Sequence, residues 1–180
     1  MIGGSYGGRR LQFPAAMGLR PTADRVRETL FNWLQQDIAK SRCLDLFAGS
    51  GALGFEAVSR GAARVTMIES QRNVFRSLQQ NSTLLQTREV VRLINADALR
   101  WLQGDAEMYQ LVFVDPPFNR QLMQPVIDQL EHGGWLVPEA LIYLEQDVHE
   151  DPPKLPHSWR IIRDKTAGQV RYQLVQRAAT

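Results

Sequence analysis

Cys43-Leu44-Asp45-Leu46-Phe47-Ala48-Gly49-Ser50-Gly51-Ala52-Leu53-Gly54 is the stretch on which the fold turns. Residues 43–47 are apolar except for Asp45 and read as a short buried strand. A glycine turn follows, and residues 52–60 read as a helix that Gly61 ends. The same alternation continues outward. Residues 65–68 make a second strand that ends at Glu69, and Val74, Leu78 and Leu85 mark a helix after it. Residues 90–94 make a third strand closed by Asn95-Ala96-Asp97, with a short helix over 98–102. Residues 111–114 make a fourth, running into Asp115-Pro116-Pro117-Phe118, then a helix over 122–130 and a fifth strand over 141–144. On the N-terminal side, Pro21-Thr22 opens a helix with Thr22 as cap and Val26, Leu30, Leu34 and Ile38 on one face. Strands apolar on both faces and separated by helices require a parallel sheet covered on both sides. The tail differs: residues 159–163 and 170–175 alternate polar and apolar around Lys165-Thr166-Ala167-Gly168, which is a hairpin. The expectation is an α/β fold with a mostly parallel seven-stranded sheet ending in an antiparallel hairpin. Residues 1–20 read as a basic, Gly-rich arm and 21–180 as a single domain.

Composition narrows the class. At 180 residues, 44% hydrophobic and 22% charged, the chain is neither disordered nor a coiled coil. No apolar run approaches the roughly 18 residues a membrane span needs, and the start lacks the apolar core of a secretory signal, so a cytoplasmic protein away from membranes is expected. The single cysteine, Cys43, rules out an intrachain disulfide and a Cys-rich metal site. Net charge is only +2, but five arginines (Arg9, Arg10, Arg20, Arg25, Arg27) meet one acid, Asp24, in residues 1–27. Arginine bonds phosphate with a planar fork and stacks on bases, so this end suits nucleic acid as well as it suits a solvated tail.

Gly49-Ser50-Gly51-Ala52-Leu53-Gly54 fits G-x-G-x-x-G between a strand and a helix, the context of a nucleotide-binding loop. Glu69, at the end of the second strand, can accept both hydroxyls of a ribose. Nicotinamide and S-adenosylmethionine (SAM) enzymes share this geometry, and three features favour SAM. Asp45, inside the strand, suits a ligand that carries an ammonium and repels a pyrophosphate. The Asp97 carboxylate can accept an adenine amino group while the Ala98 amide faces a ring nitrogen, although taken singly Asp97 is better read as a helix cap. A closing hairpin is also not how a simple dinucleotide fold ends. Phe47, beside the loop, joins the candidate cofactor contacts.

Asp115-Pro116-Pro117-Phe118 carries the chemistry. Two prolines fix the backbone and donate no N–H, which leaves carbonyls as pure acceptors beside a carboxylate. A planar amine on a nucleobase has two N–H donors and a delocalised lone pair. The Asp115 carboxylate and the Pro116 carbonyl can take one N–H each and ease the nitrogen toward tetrahedral geometry. Phe118 would stack on the base, a contact worth ~1–3 kcal/mol. The base must leave its own stack to get there. Arg120, just beyond, either reaches a phosphate or is solvated.

These blocks resemble the bacterial methyltransferases that make N2-methylguanine in 16S ribosomal RNA. The resemblance rests on residues 20–32, from Arg20-Pro21-Thr22 to Leu30-Phe31-Asn32, on residues 45–54 and on residues 112–118. Gly3-Gly4 and Gly8-Arg9-Arg10-Leu11 are similar to the family's arm, with Tyr6-Gly7 where the arm carries Trp-Arg. The resemblance implies a Rossmann-like methyltransferase fold, SAM as donor and guanine N2 as target. It implies small-subunit RNA, in the subunit or an assembly intermediate, as partner; a monomer is expected. By position it implies that Asp115, Pro116 and Phe118 hold the base. Thr22, Asp45, Phe47, Gly49, Gly51, Glu69, Asp97 and Ala98 would hold SAM, with Thr22 and Arg25 near its methionine end. Arg9, Arg10, Arg20 and Arg120 would meet RNA. The rivals are an amino-methyltransferase acting on adenine N6 or a protein glutamine amide, and an inactive RNA- or nucleotide-binding module. His132, His149 and His157 lack metal-ligand spacing, and Cys43, Trp33 and Trp101 read as packing residues.

Overall fold

The structure, a computed structural model, describes residues 1, 3–11, 21–118 and 121–179, and side chains at all of these except 21–23. Arg20 and Arg120 therefore lie outside the described residues, as does the Thr22 side chain. Seven strands form one sheet: β1 (Arg42–Asp45), β2 (Arg64–Ile68), β3 (Val91–Ile94), β4 (Tyr109–Val114), β5 (Leu136–Asp147), β6 (Trp159–Ala167) and β7 (Val170–Arg177). Their order is β3-β2-β1-β4-β5-β7-β6. The first five run parallel, and β7 lies antiparallel between β5 and β6. This is the expected architecture. The order steps outward in both directions from the β1–β4 boundary, so a crevice opens there at the carboxyl ends of the strands.

Helices α1 (Pro21–Trp33), α2 (Ala52–Ser59) and α3 (Arg72–Leu84) cover one face, and α4 (Ala98–Trp101) and α5 (Met123–His132) the other. Alternation along each strand divides the core. Cys43, Leu111, Phe113 and Tyr143 face Val26, Leu30, Phe31 and Phe55, while Leu44, Val112, Val114 and Ile142 face Val126, Ile127 and Leu130. Phe31 and Phe113 meet with ring centroids 5.9 Å apart. Burying each such side chain is worth ~1.5–3 kcal/mol, so α1 is fastened to the middle of β4.

Several elements differ from the sequence expectation. Strand β6 runs on through Lys165-Thr166-Ala167, expected in the hairpin turn, because each pairs with β7. Helix α1 starts at Pro21, so Thr22 lies within its first turn and is not its cap; proline suits that position because its missing N–H would go unpaired there anyway. The helix also stops at Trp33, and Leu34 and Ile38 stay buried through the turns that follow. Strand β5 is longer than the apolar run that marked it. Finally, residues expected to be irregular form a 3-10 turn at Gly4–Tyr6, docked on α2: the Gly3 amide donates to Glu56 Oε1 at 2.8 Å and the Tyr6 amide to Ser59 Oγ at 2.8 Å. Among the described residues no helix is long and apolar enough to cross a membrane.

Candidate active site

Strand β1 delivers Asp45 to the carboxyl edge, and the glycine turn leaves from it. Gly49 and Gly51 have φ of 56° and 90°, the left-handed region where a side chain is strained. Gly54 makes room of another kind: a Cβ there would sit 2.4 Å from Cε of the buried Met67, so that side chain or α2 would have to shift. The turn is held from three sides. Glu69 Oε2 accepts the Gly49 amide at 3.0 Å while its Oε1 accepts the Gln71 amide at 2.7 Å. Asn81 donates to the Ser50 carbonyl at 3.0 Å, and Asn95 braces the end of β2 by donating to the Glu69 carbonyl at 2.6 Å.

Asp45 is only 1% exposed, and Oδ2 accepts the Gly54 amide at 3.2 Å while Oδ1 has no hydrogen-bond partner among the described residues. Burial pushes its pKa up to about 7, and the Gly54 and Phe47 amides pull against that rise. A buried acceptor left open beside a glycine turn fits a ligand that brings a cationic donor, as the ammonium of SAM does. A dinucleotide pyrophosphate would meet repulsion at the same place.

One strand over, β4 ends at Val114 and Asp115 follows it, half-buried; Pro116 is buried, Pro117 exposed and Phe118 half-buried. Burial holds the Asp115 carboxyl well above the usual carboxylate range, and the nearby charges of Glu145 and Asp45 raise it further. The structure thus gathers Asp45, Phe47, Gly49, Gly51, Glu69, Asp97, Ala98, Asp115, Pro116 and Phe118 along one sheet edge. Asp97 is the N-cap of α4, accepting the Arg100 amide at 3.0 Å through Oδ1, as its simpler reading had it. Arg9 and Arg10 are not at this edge. Arg9 lies over the Tyr6 ring, 5.2 Å from its centroid, and Tyr6 is anchored at the far end of α2.

Glu145 was missed by sequence reasoning. It ends the apolar run of β5, accepts the Tyr143 hydroxyl at 2.6 Å through Oε2, and faces Asp115. An acid closing an apolar strand was the available signal, the same one that marked Asp115. The packing residues sit as expected: Trp33 stacks on Tyr172 at 5.3 Å, Trp101 meets Trp135 in a tilted contact at 4.5 Å, and burial pushes the Cys43 thiol up to about 12.

Fold and site together define a SAM-dependent methyltransferase. A family model described as conserved hypothetical protein 95 matches residues 1–176. The ribosomal RNA small subunit methyltransferase D of Escherichia coli K12 is 50% identical over 179 residues, 99% of this chain and 90% of that protein. Its Haemophilus influenzae counterpart is 44% identical over 180 residues, 98% and 92% of the two chains. The solved structure of yhhF from Escherichia coli matches with a TM-score of 0.92 at 47% identity, covering 99% and 97%. The chain belongs to the family of small-subunit ribosomal RNA methyltransferase D.

Proposed function

We propose that this protein methylates the exocyclic N2 of one guanine in 16S ribosomal RNA, acting as a monomer on the small subunit or an assembly intermediate in the cytoplasm. The observation that carries the reading is the acceptor pair of Asp115 and Pro116 at the switch point of the sheet, next to a glycine turn with an open Asp45 oxygen. SAM, when bound, supplies a methyl carbon already activated by its sulfonium. The chain's own part is positioning and electrostatics. Asp45 Oδ1 takes the ammonium, and Glu69 has lone pairs to spare for ribose hydroxyls beyond the two amides it accepts. Asp115 and the Pro116 carbonyl draw on the two N–H groups of the amine, so its lone pair is less committed to the ring. Phe118 covers the face of the base and keeps water away. Asp115 also accepts the proton that the nitrogen gives up once methylation has made it acidic.

Arg9, Arg10, Arg20 and Arg120 are assigned to phosphate. Residues 21–180 are assigned to a single domain and residues 1–20 to its arm. The monomer is supported by the exposed edge strand β6, whose Arg160, Arg163, Asp164 and Lys165 discourage strand-to-strand pairing.

The test is a methylation assay on small subunits, free ribosomal RNA and DNA, with the product read by nucleoside mass spectrometry. N2-methylguanine in subunit RNA is the expected product; N6-methyladenine or a methylated protein amide overturns the assignment. Asp115→Ala should lose turnover by at least about a hundredfold while SAM affinity in calorimetry stays within a few-fold. Equal loss of both would make Asp115 a cofactor or folding residue.

A further inference from the structure

Beside Asp115 the crevice holds a second carboxylate. Strands β4 and β5 run parallel with Val114 opposite Leu144, so Asp115 and Glu145 stand at matching places one step further, on strands about 4.8 Å apart. Both point to the face that carries Phe113 and Tyr143. Glu145 is half-buried, so a ligand can reach it. It is also held in place: the hydroxyl of the fully buried Tyr143 bonds Oε2, and Oε1 has no partner among the described residues.

Two carboxylates set side by side raise each other's energy unless donors come to them. The edge of guanine brings three N–H groups, two on N2 and one on N1. Adenine brings two on N6 and, in place of the third, a bare lone pair at N1. The geometry points to Glu145 as the residue that selects guanine: Oε1 accepts N1–H while Asp115 and the Pro116 carbonyl hold the N2 amine. Against adenine the same oxygen meets a lone pair and repels it. The assignment rests on the guanine-N2 reading above.

The experiment separates the two. Unmodified small subunits are first methylated by the wild-type protein and the product nucleoside and its position identified. Absence of N2-methylguanine at this step overturns the guanine-N2 reading and the selector with it, before any variant is used. Subunits are then reconstituted with guanine or 2-aminopurine at that position. The analogue keeps the N2 amine but carries a lone pair at N1. The wild-type protein should prefer guanine in kcat/KM by about ten- to a hundredfold, the range of one well-made base contact. Glu145→Gln keeps the shape and the Tyr143 bond, and turns an amide N–H toward N1. It should bring the ratio to within a few-fold at unchanged SAM affinity. Tyr143→Phe leaves the carboxylate but frees it, and should narrow the ratio in part. A ratio unchanged in both variants, with activity on the two bases falling in equal proportion, overturns the proposal and leaves Asp115 alone to read that edge.

Discussion

Asp45 shows what one buried atom can demand. An anion with 1% exposure and an oxygen unpaired among the described residues is costly to hold, and burial pushes its pKa up to about 7. Only the ionised form attracts an ammonium. SAM affinity should therefore rise as pH rises from about 6 toward about 7, because at lower pH binding must first displace a proton. Calorimetry at pH 6.5 in two buffers of different ionisation enthalpy should show proton release on binding. Asp45→Asn should abolish the release and weaken SAM by roughly ten- to a hundredfold, as expected for loss of a charge-assisted bond; binding that stays proton-neutral in the wild type would remove Asp45 from the ammonium site. Asp115 is shifted in the same direction by burial and by the charges of Glu145 and Asp45, so turnover too should grow with pH. At this scale the sequence supplied Asp45, Glu69 and Asp115 by their places at strand ends. It did not supply Glu145, whose meaning depends on which strand lies beside β4.

Among the elements, α5 and the closing hairpin are joined through one side chain. Glu131, near the end of α5, accepts from Ser158 Oγ at 2.7 Å, Trp159 Nε1 at 2.8 Å and Arg177 Nε at 3.0 Å. Burial pushes its carboxyl up, and the bonds from Ser158, Trp159 and Arg177 more than offset this, so the net shift is down. The contribution is thus present at neutral pH and is lost in acid, as pH falls below the ordinary carboxylate range and through the lowered folded value. Glu131→Ala should destabilise the fold by about 1–3 kcal/mol in urea unfolding at pH 7, with a smaller difference at pH 3; an equal difference at both would mean packing and not charge is lost. The strands were legible because a sheet covered on both faces needs continuous apolar runs. The length of β5 was not, since Pro138 reads as a breaker and Glu139 sits at φ 60° inside the strand. The end of α1 was hidden likewise: Leu34 and Ile38 keep the helical spacing because the same core buries them after the helix has stopped.

Over the whole molecule, the chemistry and the described segment with Arg9 and Arg10 occupy opposite ends. Helix α2 leaves the glycine turn at the carboxyl edge and carries its last residue, Ser59, to the other edge, where Ser59 Oγ bonds the Tyr6 amide. Arg9, stacked on Tyr6, and exposed Arg10 are thus presented about a helix length from the acids. If they meet phosphate, changing both to alanine should reduce the slope of log affinity against log salt by one to two, with the loss largest at low salt. A filter-binding series on small subunits checks this, and an unchanged slope would take them out of the RNA contact. The sequence by itself determined the alternation of elements, the glycine turn and the acids that close the strands, because each is fixed by residues near in the chain. Only the tertiary structure decided that β4 and β5 are neighbours, that Asp45 keeps one oxygen open among the described residues, and that residues 3–11 are docked away from the crevice. Those depend on contacts between residues dozens of positions apart, which pairing across the sheet and burial select and local pattern does not encode.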